Sequence, residues 1–317
     1  MLKGVQYRLE YAALVMGTAL LNLLPYRAAL AVAWAVAGLL FHVVRFRRRE
    51  TLRRIREVFG ADMPELEARR IAWLSLRNMA FNCVEMMRAP RIDKAWIDRH
   101  MPDFQANVPI VNGLIAKHQG LIFAVPHMGN WDLAGWACNR YGVNMFSVAA
   151  KQKNPYVNAW ISRQRENGIT MLERGSGTLR RIVRLLRQQC AFAILPDVRM
   201  PTPDLPLPFL GGTANLGRGM AMFAITADVP ILPAIFTRQG WCRHTFIHFD
   251  PLFPRHGLAR EDDARRLTEA VVAIVDKAVR ENPEQWFWYN KRWVLTPLPA
   301  EAPHQNGAGP EAALSSE

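Results

Sequence analysis

LIFAVPHMGNWDLAGWACNR, residues 121–140, is the stretch that decides the fold. LIFAV is a short continuous apolar run of strand formers, the pattern of a strand buried on both faces. WDLAGWACNR reads as a helix, with Asn130 placed to cap its first turn. Strand, turn and helix therefore follow one another within twenty residues, and the turn carries His127. Outward from this unit, further apolar runs recur at MFSVA (145–149), AFAIL (191–195), VPILPAIF (229–236) and TFIHF (245–249). Helical patterns such as TLRRIVRLLRQ and DARRLTEAVVAIVDKAVREN lie between or after them. Strands alternating with helices predict an α/β fold with a mainly parallel central sheet flanked by helices. There is no internal repeat.

The N-terminal part is different. Residues 11–24 and 28–44 are uncharged and apolar, separated by Pro25, Tyr26 and Arg27. Each run is shorter than the roughly 20 apolar residues that span a bilayer. A tilted span, an interfacial helix and a helical hairpin in the membrane surface are all compatible with this pattern. RFRRRETLRRIR (45–56) follows with seven arginines, the charge expected on the cytoplasmic flank of a membrane segment. A cleaved signal peptide fits less well, because the charged start is weak and the apolar stretch continues past AALAVA. The expected organisation is a membrane-anchoring or interfacial region (1–44), a basic helical region packing on the core (45–115), an α/β core (116–297) and a disordered tail (298–317).

The chain has 317 residues, half of them hydrophobic and 21% charged, which excludes disorder as the dominant state. Its net charge of +13 suits acidic partners: anionic lipid, phosphates or an acidic protein. The apolar N-terminus, and the lack of any recognisable reader motif, argue against nucleic acid. Cys83, Cys138, Cys190 and Cys242 are widely spaced, which predicts no zinc site or disulfide framework and four buried apolar side chains.

Ligands of open α/β sheets bind outside the carboxyl ends of the strands, where the turn places His127. Asp132 lies five residues on, in the first turn of the next helix. A carboxylate there could hold one imidazole nitrogen while the other takes a proton, giving a general-base dyad without a covalent nucleophile. The other reading is a structural histidine at a strand end. The spacing alone is unspecific, since eight histidines should give about 0.7 such pairs by chance. His256 and Glu261 form a second pair, but in the polar stretch PRHGLARED with no strand before it. The glycines at 211, 212, 217 and 219 lack the GKS/T ending of a phosphate loop, so no nucleotide is expected.

PHMGNWDLAGW (126–136) resembles the first block of the acyltransferases of lysophospholipids and glycolipids, and within them is most similar to the bacterial lipid A biosynthesis acyltransferases. LERGSGTLRRIVRLLRQQCAFAILPD (172–197), VPILPAIF (229–236) and PEQWFWYNKRW (283–293) resemble later blocks in the right order, so the likeness covers residues 5–297. The Phe-Pro-Glu-Gly-Thr block of the glycerophosphate branch is absent; LPDVRMPTPDLPLPFLGG (195–212) stands there instead.

The resemblance implies acyl transfer from acyl carrier protein or coenzyme A to a hydroxyl of a phosphorylated glycolipid, at the cytoplasmic face of a bacterial inner membrane. It implies no metal and no bound cofactor. His127 would be the base and Asp132 its orienting acid. Arg174, Asp197, Asn130, Arg199 and Arg218 are the candidates for contact with substrate, though Asp197 could instead support the site, near His127 if their strands are neighbours, and Asn130 could shape the turn. Phosphatidylinositol mannosides or other lipids are alternative acceptors, and lipid hydrolysis with the same base is an alternative reaction. The basic helix at 178–189 could dock on a membrane or an acidic carrier, or pack on the sheet. The aromatic cluster at 286–293 could sit at a membrane interface or in the core.

Overall fold

The computed structural model describes residues 2–149, 151–173 and 177–298. The expected disordered tail, beyond Leu298, lies outside them. A six-stranded sheet forms the centre, in the order β3-β2-β4-β1-β7-β8. Its members are β1 (Leu121–Ala124), β2 (Met145–Ala149), β3 (Thr170–Glu173), β4 (Ala191–Ile194), β7 (Ile231–Gln239) and β8 (Arg243–His248). All neighbouring pairs are parallel except β7 and β8, which form an antiparallel hairpin at one edge. The sheet is thus mainly parallel, as the alternation of strands and helices predicts.

Alternate residues of the strands face opposite layers, as the pleat requires. Ile122, Ala124, Phe192, Ile231 and Ile235 pack into one core with α9 (Thr178–Leu186), α10 (Gly219–Ala227) and α11 (Arg260–Glu281). Leu121, Phe123, Ala191, Leu232 and Phe236 pack into the other, against α5 (Lys94–His100), α6 (Phe104–His118) and α7 (Trp131–Arg140). Helix α9 buries Ile182 and Leu186 against the sheet side, whereas Leu179 stays 67% exposed.

Strand β3 is absent from the sequence reading because TMLE is an edge strand too short and too polar to show a pattern. The hairpin of β5 (Leu205–Phe209) and β6 (Gly212–Leu216) was hidden by Pro206 and Pro208. Both prolines occupy exposed positions of β5, while Leu205, Leu207 and Phe209 point inward. Leu210 (φ 52°) and Gly211 (φ 82°) make its two-residue turn, which needs positive φ at both positions.

The N-terminal region is two helices, α1 (Leu2–Leu23) and α2 (Tyr26–Gly38), broken at Pro25. Helix α2 runs on through a π-helical turn, Leu39–Val43. Tyr26–Val43 is apolar and long enough to cross a membrane, with a mean hydropathy of 1.5. Ala29, Leu30, Ala33 and Ala37 form a narrow buried face of α2, which packs against α4 (Glu65–Met87). The opposite side leaves Val32, Trp34, Val36, Leu39 and Val43 exposed, and α1 likewise exposes Leu9, Met16, Leu20 and Leu23.

Helix α3 (Arg48–Phe59) carries part of the arginine run, and one of those arginines does not lie on the surface. Arg54 is buried and turns inward: its Nη1 donates to the carbonyls of Trp288 (2.9 Å) and Asn290 (2.6 Å). Its guanidinium also lies over the Trp293 ring. The aromatic segment is accordingly core, with Trp286, Trp288, Tyr289 and Trp293 all buried. Of the cysteines only Cys138 is buried; the expectation of four buried thiols fails because the other three sit on half-covered or exposed positions.

Arg54→Ala should therefore cost about 3 kcal/mol in urea unfolding, because it strands two buried carbonyls and leaves a hole under Trp293. An exposed neighbour, Arg53→Ala, should cost less than about 1 kcal/mol in the same measurement.

Candidate active site

Strands β1 and β4 lie in parallel register, Ala124 opposite Ile194. Three residues beyond each of these partners stand His127 and Asp197, so the pairing brings their side chains together at the carboxyl end of the sheet. His127 Nδ1 is 2.8 Å from Asp197 Oδ1. The backbone N–H of His127 donates to Asp197 Oδ2 at 2.8 Å, and so does Trp286 Nε1 at 2.8 Å. The Asp197 side chain is only 1% exposed, against 24% for His127.

Burial works to raise the Asp197 carboxyl, but the imidazole beside it and these hydrogen bonds outweigh it and hold the group below its usual range. A carboxylate only accepts, so Nδ1 carries the proton and the lone pair lies on Nε2. The ring is steadied by an edge-on contact with Trp131 at 4.9 Å between centroids. The arrangement is an imidazole poised to take a proton, with a buried anion to stabilise the cation that forms.

The partner of His127 is thus Asp197 where the spacing pointed to Asp132. Asp132 sits in the first turn of α7, which aims it at α8 (Pro155–Arg165). There its two oxygens accept from Arg165 Nε (2.8 Å) and Nη2 (3.3 Å). Asn130 faces inward: Oδ1 caps α7 through Leu133 N, and Nδ2 donates to Glu85 at 2.6 Å. Arg199 donates to the carbonyls of Thr296 and Pro297, and Arg218 pairs with Asp204 and Glu261. Asn130 thus shapes the turn, whereas Arg199 and Arg218, candidates for headgroup contact, already have partners within the protein. Arg174 lies outside the described residues.

Behind the His127 turn is a buried ionic cluster that sequence reading did not find. Glu85, on α4, accepts from Arg238 Nη1 (2.7 Å) and Nη2 (2.6 Å), from Asn130, from the Tyr26 hydroxyl and from His244. Both members of the ion pair are fully buried side chains. Burial opposes the Glu85 charge, yet Arg238 and His244 hold the carboxyl well below its usual range. Arg238 Nη2 also donates to Asn82 Oδ1 (2.8 Å), and Asn82 Nδ2 donates to the Gly129 carbonyl (2.6 Å). A lone charge within the apolar run CVEMM, and another within AIFTRQ, were the available signals.

The C-terminal block completes the turn. Gly129 N–H donates to Gln285 O, Phe287 N–H donates to His127 O, and Gln285 exchanges hydrogen bonds with the Arg238 backbone through its side chain. Gly129 has φ 56°, and a Cβ there would stand 2.4 Å from the Phe236 carbonyl oxygen. Among the described residues no three His, Cys, Asp or Glu side chains converge as metal ligands would.

A family model described as bacterial lipid A biosynthesis acyltransferase matches residues 3–294. The phosphatidylinositol mannoside acyltransferase of Mycobacterium tuberculosis (strain ATCC 25618 / H37Rv) is 21% identical over 218 residues, 66% of each chain. The same-named protein of Mycolicibacterium smegmatis is 22% identical over 184 residues, 56% of this chain and 57% of its own length. The chain thus spans 57% to 66% of the length of these curated relatives. The crystal structure of the 1-acyl-sn-glycerophosphate acyltransferase PlsC from Thermotoga maritima matches at 14% identity. That match covers 85% of this chain and 99% of the other, with a TM-score of 0.36, too low to carry an argument.

Two outcomes are expected from this geometry. Asp197→Asn should destabilise the protein at neutral pH, and the gap to the unsubstituted chain should close as pH falls below about 4. The folded carboxyl titrates below the unfolded one, so its contribution is complete above the unfolded value and is lost as pH drops through the folded one; urea unfolding across pH would read it. Gly129→Ala should displace the His127 turn and cost more than about 2 kcal/mol by the same method, through strain at positive φ and a backbone clash.

Proposed function

Because the chain belongs to the bacterial lipid A biosynthesis acyltransferase family, we propose that it moves a fatty acyl chain from a carrier thioester to a hydroxyl of a phosphorylated glycolipid. The observation that carries this reading is the His127 ring, with Nδ1 fixed on buried Asp197 and Nε2 left as the base. Nε2 takes the proton of the acceptor hydroxyl as its oxygen attacks the thioester carbonyl. The tetrahedral intermediate collapses to the new ester, and the thiolate leaves with the proton that His127 returns. Asp197 stabilises the imidazolium in between. Asp132 serves by tying α8 to the first turn of α7 through Arg165.

The reaction so written consumes an acyl thioester, of acyl carrier protein or coenzyme A, and calls on no metal or redox cofactor. The net charge of +13 suits an acidic carrier protein, anionic lipids and the acceptor phosphates alike. The exposed apolar sides of α1 and α2 support attachment to a membrane, which we assign to the cytoplasmic face of a bacterial inner membrane. A lipid A precursor is the first acceptor to try. The similarity to phosphatidylinositol mannoside acyltransferases favours a mannosylated phosphoinositide as the second.

Mass spectrometry of lipids from cells expressing the chain, repeated in vitro with both acceptors, tests the reading. One acyl mass should be added by the unsubstituted protein. His127→Ala should lower the rate by about 10³-fold and Asp197→Asn by about 10²-fold, with Asp132→Asn milder than either. Equal lipid profiles from all four proteins with both acceptors supplied would sink the assignment.

A further inference from the structure

A cleft of about 500 Å³ opens between the start of α2 and the β7–β8 turn, lined by Arg27, Gln239, Trp241, Cys242 and Arg243. Its lining adjoins the buried cluster and does not include His127. Tyr26, next to Arg27, bonds Glu85, and the Trp241 carbonyl accepts from Arg238 Nη1 at 2.9 Å. The floor is firm, because Trp241 packs on Phe81 (5.2 Å between centroids) and Cys242 packs against the buried cluster of Ala29, Leu30, Ala33, Phe81 and Val84.

The two guanidiniums at the rim distinguish this cleft. Most arginines near the site are tied to carboxylates or carbonyls, as Arg54, Arg165, Arg199, Arg218 and Arg238 are. Arg27 and Arg243 have no side-chain hydrogen bond or ion pair among the described residues. Each therefore keeps its full fork of donors for a ligand, and Gln239, opposite Arg243 in the β7–β8 register, lines the same cleft. Two forks facing one cleft match a doubly charged tetrahedral oxyanion better than a single carboxylate. Trp241, 38% exposed, adds an apolar wall.

The surroundings narrow the ligand further. Leu20 and Leu23 at the end of α1 are exposed a few residues before Arg27, and Leu23 reaches 81%. On α2, Trp34, two turns beyond Arg27 and on its side of the helix, is 46% exposed. An anion held by the arginines would lie close to exposed apolar side chains at the end of α1 and on α2.

We propose that this cleft is a binding site for a phosphate monoester, borne by a lipid whose chains lie along the exposed sides of α1 and α2. The site is separate from His127, and a bound phosphate would press on the two elements, Tyr26 and the Trp241 carbonyl, that reach the Glu85 cluster.

Flotation of the full chain with vesicles tests this without reliance on acyl transfer, so its failure and that of the functional reading remain distinguishable. Three vesicle types are compared: phosphatidylcholine alone, phosphatidylcholine with phosphatidic acid, and phosphatidylcholine with phosphatidylglycerol at matched surface charge. Binding to the phosphatidic acid vesicles should be about tenfold tighter than to the phosphatidylglycerol ones. Arg27→Gln/Arg243→Gln should abolish that preference. Arg180→Gln/Arg181→Gln, an equal charge loss on α9, should keep it.

Arg27→Lys/Arg243→Lys, which retains the charge without the fork, should keep part of it and gives a reading even if the glutamine pair folds poorly. Glycerol 3-phosphate, titrated calorimetrically, separates the sources. Binding as tight as to vesicles assigns the cleft to a soluble phosphate ester, and much weaker binding assigns it to a lipid. No preference for phosphatidic acid, or its equal loss in both glutamine pairs, would overturn the proposal.

Discussion

The site depends on one constraint: β1 and β4 run parallel and in register, so equal steps past Ala124 and Ile194 end on His127 and Asp197. A shift of one residue would turn every side chain of a strand to the other face and separate the pair. The two cores on either side of the sheet make such a shift prohibitive, since Ile122 and Phe123 face different layers. The carboxylate then fixes the backbone N–H and the ring of His127 together, which defines both where the histidine is and how it is turned.

A buried acid of this kind is tolerated only when its lone pairs are filled, and Trp286 fills what His127 leaves. The same rule governs Glu85, which would be costly alone on α4 but is surrounded by Arg238, Asn130, Tyr26 and His244. The two acids differ in what they hold. Asp197 holds the His127 side chain, whereas Glu85 and Asn82 hold the turn from behind, through Asn130 and the Gly129 carbonyl. The His127 turn is therefore gripped from α4, β4, β7 and the C-terminal segment at once.

Much of this was legible in the residues. LIFAV and AFAIL announce strands because continuous apolar runs belong to a sheet covered on both faces, and His127 follows from standing at the end of one. Asp197 was legible as a candidate, but its bond to His127 depends on β1 and β4 being neighbours, which no local pattern encodes. Asp132 illustrates the opposite error. Its spacing from His127 is suggestive, yet a residue in the first turn of α7 points where the helix axis sends it, toward Arg165. The inward turn of Arg54 was equally hidden, because a helix with seven arginines around it reads as a solvated face until its partner, the distant segment at 288–290, is known.

That segment has a consequence in time. The amide of Phe287, the carbonyl of Gln285 and the indole of Trp286 are the last pieces set around the histidine, and they are among the last residues described in the chain. During synthesis, the apolar helices and the whole sheet emerge before them. The growing polypeptide can reach a lipid surface with its hydrophobic helices while its histidine turn still lacks these partners. A lipid surface is thus within reach before the site is complete, and the final seal waits until the tryptophan-rich segment has emerged from the ribosome.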